Sequence, residues 1–278
     1  MKRFLYSSGL VYHANPQKGA LAYVQEGMRM LKKIGFDAVD YDTSIGLRKE
    51  DVEAVRNDML ALNLPFRLCH LPFVAQKNGV PGSAFNQVVF NAIDMAKLLE
   101  VDYAVIHPNS ATLPLEGYNA QEQYDLVAGY LAPFAEYAHK VGVNIVLENM
   151  RTVHQAYPAH RYCANPDELC KVADALGMGI CWDTGHAHIT GLKQSEALSH
   201  IGNRLKMVHL NDNFGGDDIH LAPFMGSADW KDIMEGLSAI GFEGLLNFEL
   251  STGRIPASAR EAFGKYVIEA AKELETYM

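Results

Sequence analysis

Eight short runs of β-branched and aromatic residues, each followed by a longer stretch of helical periodicity, recur from one end of the chain to the other. This alternation constrains the fold most, because βα units in series build a parallel sheet and eight of them close into a (β/α)8 TIM barrel. The strand candidates are Phe4–Ser8, Ala38–Tyr41, Phe66–His70, Tyr103–His107, Asn144–Glu148, Gly179–Asp183, Lys206–Leu210 and Leu245–Glu249. Helices are expected over Ala20–Ile34, Asp51–Leu62, Gln87–Leu99, Gln121–Val141, Pro166–Leu176, Gln194–Ile201, Trp230–Ile240 and Ser258–Tyr277. Pro166 suits a first helical turn, and Gly35, Gly142, Gly177 and Gly241 stand where a left-handed C-cap is wanted. A doubly wound open sheet uses the same alphabet, but it normally carries a Gly-rich phosphate turn after its first strand, which Ser8-Gly9-Leu10-Val11 is not. With 278 residues and no linker, low-complexity tract or internal repeat, the chain reads as one domain over residues 1–278.

Active sites of such barrels are built where strands run into their βα loops. Six successive strand candidates end in a residue type that binds metals: His70, His107, Glu148, Asp183, His209 and Glu249. Taken singly, each has an ordinary explanation. Glu148 suits a salt-bridged carboxylate, and Asp183-Thr184-Gly185 is good turn chemistry. Three carboxylates and three imidazoles at one level are harder to explain by stability, since clustered carboxylates cannot all stay ionised in a low dielectric. A divalent cation resolves the conflict, and the mixed O/N set suits Mn, Zn, Fe or Co better than Ca or a thiolate metal, with Mg also a candidate. The loops add His186 and His188 after the sixth strand and Asp217-Asp218-Ile219-His220 after the seventh. In an extended segment Asp218 and His220 point to the same side.

Composition narrows the partners. A formal charge of −9 argues against a broad nucleic-acid face, which needs clustered Lys and Arg. The opening Met-Lys-Arg-Phe-Leu-Tyr-Ser-Ser-Gly fits neither a signal peptide nor a spanning helix, so a cytoplasmic protein without a membrane partner is expected. Cys69, Cys163, Cys170 and Cys181 form no Cys-x-x-Cys pair and read as buried free thiols. Tyr12, Phe73, Trp182, Phe214, Phe224 and Trp230 are candidates for stacking at the mouth, or for packing.

Several motifs together resemble the xylose-isomerase-like barrel superfamily, which includes sugar isomerases and epimerases and the endonuclease IV type of apurinic-site nuclease. They are Leu68-Cys69-His70-Leu71-Pro72, Ile106-His107-Pro108-Asn109-Ser110, Leu147-Glu148-Asn149, Asp183-Thr184-Gly185-His186, His209-Leu210-Asn211-Asp212, Asp218-Ile219-His220 and Glu249, and the similarity covers nearly the whole chain. The resemblance implies a core metal on Glu148, Asp183, His209 and Glu249. It further implies a second ion on His70 and His107 bridged by Glu148, and a third on His186, Asp218 and His220. Two departures stand out. Met225-Gly226-Ser227 replaces the commoner Gly-Glu-Gly, and Gly215 stands where ketose epimerases of this type carry a substrate-contacting Arg, which argues against ordinary ketohexose 3-epimerase activity. Arg151 and Arg254, each shortly after a proposed ligand Glu, are candidates to face an anionic sugar.

The function expected is that of a divalent-metal-dependent isomerase or epimerase of a small carbohydrate, moving a proton through a metal-stabilised enediolate. Glu148 and Glu249 would act as the acid–base pair and His186 would orient a substrate oxygen. The alternative is an endonuclease IV-like phosphodiester hydrolase acting on abasic DNA. A third reading is a barrel that binds metal or sugar acid without turnover. A homo-oligomer is compatible with all three.

Overall fold

The computed structural model describes residues 4–13, 19–73, 83–152 and 159–278, so the first three residues of the opening segment lie outside the described part. Ten strands appear in chain order among the described residues: β1 (Tyr6–Ser8), β2 (Ala38–Asp42), β3 (Phe66–His70), β4 (Tyr103–Ile106), β5 (Thr112–Pro114), β6 (Ile145–Glu148), β7 (Ala159–Arg161), β8 (Gly179–Asp183), β9 (Leu205–His209) and β10 (Leu246–Phe248). Eight of them form one parallel sheet in the order β10-β1-β2-β3-β4-β6-β8-β9. The remaining gap is bridged by Leu210 and Phe248, with the Leu210 N–H donating to the Asn247 carbonyl at 2.8 Å. The result is the nearly closed (β/α)8 barrel expected from the alternation.

The helices are α1 (Ala20–Ile34), α2 (Val52–Leu62), α3 (Ser83–Leu98), α4 (Ala120–Val141), α5 (Pro166–Leu176), α6 (Thr184–Thr190), α7 (Gln194–Ile201), α8 (Trp230–Ala239) and α9 (Arg260–Glu275). They surround the sheet, α1 packing on α2 and α9, α4 on α3 and α5, and α8 on α7 and α9. Why α1 lies where it does can be read from its spacing. Val24, Gly27, Met28, Leu31 and Ile34 fall on one face and are buried, and each large apolar side chain so buried contributes roughly 1.5–3 kcal/mol. Gly27 is required there, since a Cβ would stand 2.9 Å from Leu10.

Alternation along the strands creates two layers inside the barrel. Leu68, Val105, Val146, Cys181 and Met207 form a separate buried cluster, distinct from the larger core between sheet and helices. Two residues further along each of these strands come His70, His107, Glu148, Asp183 and His209. Period-two geometry thus stacks the candidate ligands directly above an apolar plug.

Several boundaries differ from the sequence expectation. β1 begins at Tyr6, because Phe4 donates its N–H to Glu275 Oε1 instead of a strand neighbour. β4 ends at Ile106, one residue before His107, where Pro108 has no N–H to extend the ladder. β6 begins at Ile145, and β10 covers only Leu246–Phe248, leaving Glu249 just past its end. β9 starts at Leu205 and stops at His209, with Leu210 making a single bridge. α3 starts four residues earlier than expected and α9 two residues later. Not expected from the sequence were the short helix α6 and the antiparallel β5–β7 pair formed by two βα loops.

Candidate active site

Glu148 stands at the centre of the mouth, almost fully buried, and imidazoles face both of its oxygens. Oε1 lies 3.3 Å from His209 Nδ1 and 3.5 Å from His186 Nδ1, while Oε2 lies 3.2 Å from His107 Nε2 and 3.6 Å from His70 Nε2. His209 Nδ1 is also 3.2 Å from Glu249 Oε2. Donor atoms of Glu148, Asp183, His209 and Glu249 all fall within 4.8 Å of one another, as do those of His70, His107 and Glu148. Beside them, Asp218 joins His186 Nε2 at 3.2 Å and His220 Nε2 at 3.3 Å. The structure therefore brings all nine sequence-derived candidates into one connected cluster.

This set fits a divalent cation. Both oxygens of Glu148 and both ring nitrogens of His209 are buried without a well-formed hydrogen bond among the described residues, and buried polar atoms left so are costly. Outer ring nitrogens point the same way. Nδ1 of His70 meets the Leu71 carbonyl at 2.9 Å, Nδ1 of His186 the Asn149 carbonyl at 2.8 Å, and Nδ1 of His220 the Glu249 carbonyl at 3.1 Å. A carbonyl only accepts, so each Nδ1 carries the proton. That arrangement orients metal-binding imidazoles through their other nitrogen. Cys181 joins Glu148 and His209 in a third grouping, but burial raises its thiol to about 12, against the influence of His209, so it is a poor thiolate ligand.

Electrostatics reflect the crowding. Burial opposes charge on Glu148, yet His107 and His209 hold its carboxyl well below the usual range. Burial lifts Asp183 to about 6, with His186 opposing and Glu148 adding to the rise. Burial would depress the imidazoles, but Glu148 holds His70 at about 9, Asp183 and Asp218 hold His186 at about 9, and Asp218 with Glu249 hold His220 at about 10. His107 goes the other way, because burial outweighs Glu148. Imidazolium protons and a bound cation are alternative ways of neutralising the same carboxylates, so ion binding displaces protons.

The loops hold this geometry through hydrogen bonds. Asp183 caps α6, its Oδ1 accepting from the His186 N–H at 2.6 Å, and it belongs to the candidate ligand cluster as well. Its other oxygen accepts from Asn211 Nδ2 at 2.7 Å, while its backbone N–H and carbonyl are both held by the Asn149 side chain. Gly185 makes room for Asn211, because a Cβ there would stand 1.9 Å from Asn211 Oδ1. Gly185→Ala is expected to cost about 2–3 kcal/mol through overpacking, lowering Tm by roughly 4–12 °C. It should also weaken metal retention. Thermal denaturation together with metal content of the purified variant checks both.

Two site residues escaped the sequence reading. Asp40 is 7% exposed, and its Oδ1 has no hydrogen-bond partner among the described residues. Oδ2 accepts from Asn247 Nδ2 at 2.7 Å and lies 3.9 Å from His209 Nε2. It lines a cavity of about 260 Å³ together with Gly9, Asp42, His70, His220 and Glu249. A charged residue in the middle of the run Ala38-Val39-Asp40-Tyr41 was the available signal. Arg161 on β7 is the second, and its position depends on the unexpected β5–β7 pair. Arg151 lies at the site with Nε 3.1 Å from Asp218 Oδ2, whereas Arg254 is exposed. Among the aromatic candidates, Trp182 and Trp230 are core residues bonded to Gln194 and Asp212, and Phe73 packs its ring 4.3 Å from that of His107.

Comparison with known proteins agrees with this architecture. The family described as xylose isomerase-like TIM barrel matches residues 28–270, and the chain belongs to that family. An uncharacterised protein of Methanocaldococcus jannaschii, MJ1311, is 30% identical over 186 residues, 65% of this chain and 61% of its own length. Fructoselysine 3-epimerase of Shigella flexneri is 25% identical over 165 residues, 58% of this chain and 56% of the relative. The chain thus matches less than two thirds of the length of either curated relative. The solved structure of an L-ribulose 3-epimerase has the same fold, with a TM-score of 0.78 at 17% identity, covering 99% of this chain and 96% of the other. No helix among the described residues is long and apolar enough to cross a membrane.

Proposed function

We propose that this chain is a divalent-metal-dependent isomerase or epimerase of a small carbohydrate. The observation that carries the proposal is the quartet of buried Glu148, Asp183 and His209 with half-buried Glu249, whose donor atoms lie within 4.8 Å of one another at the mouth of the barrel. Fructoselysine 3-epimerase and L-ribulose 3-epimerase among the similar proteins support the same reaction class. A divalent ion held by the quartet would supply Lewis acidity toward vicinal substrate oxygens. Mn, Zn, Co and Mg are the candidate ions.

The chain's own residues supply the proton transfers. Glu148 ends β6 and Glu249 follows β10, so their carboxylates approach a substrate from different sides of the barrel axis. One carboxylate takes the proton from the carbon beside the carbonyl, leaving an enediolate, and the other returns a proton to complete the epimerisation or isomerisation. Such acid–base work contributes about 10²–10⁴-fold. With Nδ1 of His186 held by the Asn149 carbonyl, its Nε2, 3.2 Å from Asp218, is the nitrogen that would orient a substrate oxygen.

In deuterium oxide, metal-loaded protein offered a panel of ketoses and sugar acids is expected to incorporate solvent deuterium beside the carbonyl of its substrate. Treatment with a chelator should abolish incorporation. Product formed without solvent deuterium would contradict the carboxylate mechanism.

A second reading has its own observation. His70 and His107 face the other oxygen of Glu148, and His186, Asp218 and His220 form a third donor group, which suits a phosphodiester hydrolase acting on abasic DNA. Against it stand the net charge of −9 and the Arg151 guanidinium, which already balances Asp218 where a third ion would bind.

A further inference from the structure

Arg161 presents an unbalanced cation at the mouth of the barrel. Its Nε donates to the Ser110 carbonyl at 3.0 Å, and its guanidinium lies over Phe73, 5.7 Å from the ring centroid. Phe73 in turn packs on His107, which contacts Glu148. No carboxylate among the described residues pairs with Arg161, and residues 14–18, 74–82 and 153–158 contain no Asp or Glu. Burial pushes its guanidinium down to about 10, Arg151 acts in the same direction, and Asp218, Cys163 and Glu148 oppose. A half-buried guanidinium held by a backbone carbonyl and an aromatic ring, but by no carboxylate among the described residues, is costly for folding. An oxyanion bound there removes that cost.

The opposite side of the mouth has the reverse character. The cavity of about 260 Å³ beside the quartet is lined by Asp40, Asp42 and Glu249, with His70 and His220, and by no Lys or Arg. Its carboxylates accept hydrogen bonds from hydroxyl groups. A substrate spanning the two sides is therefore a polyol at one end and an anion at the other.

Resting on the isomerase or epimerase reading, we propose that the substrate is an acidic sugar, with its oxyanion held by Arg161 and Arg151 and its hydroxyls directed to the Asp40-lined cavity. Guanidinium forks suit both carboxylates and phosphates. Arg161 is thus a specificity residue for the reaction.

The test is calorimetric titration of the metal-loaded full chain with inorganic phosphate, gluconate and fructose. It is run on the wild type, Arg161→Met, Arg161→Lys and the surface control Lys231→Met. Wild type and Lys231→Met should bind phosphate or gluconate alike, and whichever binds more tightly identifies the oxyanion. Arg161→Met should bind that anion about tenfold or more weakly, as expected for loss of a charge-assisted pair. Arg161→Lys should restore part of the affinity, and fructose binding should be unaffected by any change at Arg161. Equal anion binding by wild type and Arg161→Met, or no anion binding by the wild type, would overturn the proposal. Deuterium exchange separates the two readings. Exchange into neutral ketoses with kcat/KM unchanged in Arg161→Met overturns the acidic-sugar assignment and leaves the isomerase reading standing. Arg161-dependent anion binding without exchange into any sugar supports the oxyanion site and removes the isomerase reading. Arg161-dependent cleavage of abasic duplex DNA overturns the assignment, since the oxyanion is then a backbone phosphate.

Discussion

Glu148→Gln is expected to lower kcat by about 10³-fold or more while the barrel stays folded. Two losses combine in this change. The proton-transfer carboxylate is removed, a term of about 10²–10⁴-fold, and the amide is a weaker cation ligand than the carboxylate it replaces. Both oxygens of Glu148 face imidazoles, so the substitution disturbs the quartet and the His70–His107 pair together. Circular dichroism of the variant should match the wild type, because the apolar plug below Glu148 and the backbone of β6 are unchanged. Activity within tenfold of wild type would place the reacting centre elsewhere.

Asp212→Ala is expected to have the largest effect on stability. Asp212 is fully buried and its carboxylate accepts four hydrogen bonds: Oδ1 from the N–H groups of Asn213 and Ala228 at 2.9 and 3.0 Å, and Oδ2 from the Gly226 N–H and Trp230 Nε1 at 3.0 and 2.9 Å. Alanine strands those donors in a dry interior, a cost of about 4 kcal/mol, and lowers Tm by roughly 8–16 °C. Because Asp212 pairs with Leu221 and anchors the loop that carries Asp218 and His220, that loop should lose order as well. Differential scanning calorimetry measures the first effect, and a Tm within about 2 °C of wild type would show that the loop is held by other contacts.

Much of this site was legible because strand periodicity is rigid. Once Leu68, Val105, Val146, Cys181 and Met207 are taken as one inward layer, the residues two positions on must share the next level. His70, His107, Glu148, Asp183 and His209 are those residues. Boundaries were less legible, since local causes set them: Pro108 stops β4, and a side-chain bond from Glu275 draws Phe4 away from β1. Asp40 carried a signal, a lone charge in an apolar strand, but its meaning depended on knowing that Asn247 and His209 lie beside it. Arg161 carried none. Its place follows from the pairing of Leu113 with His160 across two loops, a contact between segments far apart in the chain that no local pattern specifies.

The same distinction separates the sugar reading from the nuclease reading. Both use Glu148, Asp183, His209 and Glu249, and they differ in how many ions the surrounding histidines hold. Elemental mass spectrometry of gently purified protein, comparing wild type with Glu148→Gln and with a His70→Ala/His220→Ala double variant, reads this number directly. The expected result is about one ion per chain in the wild type and in the double variant, with loss in Glu148→Gln. Wild-type protein without a stoichiometric ion would contradict the metal-dependent mechanism, and two or three ions that fall in the double variant would contradict the mononuclear isomerase in favour of the hydrolase.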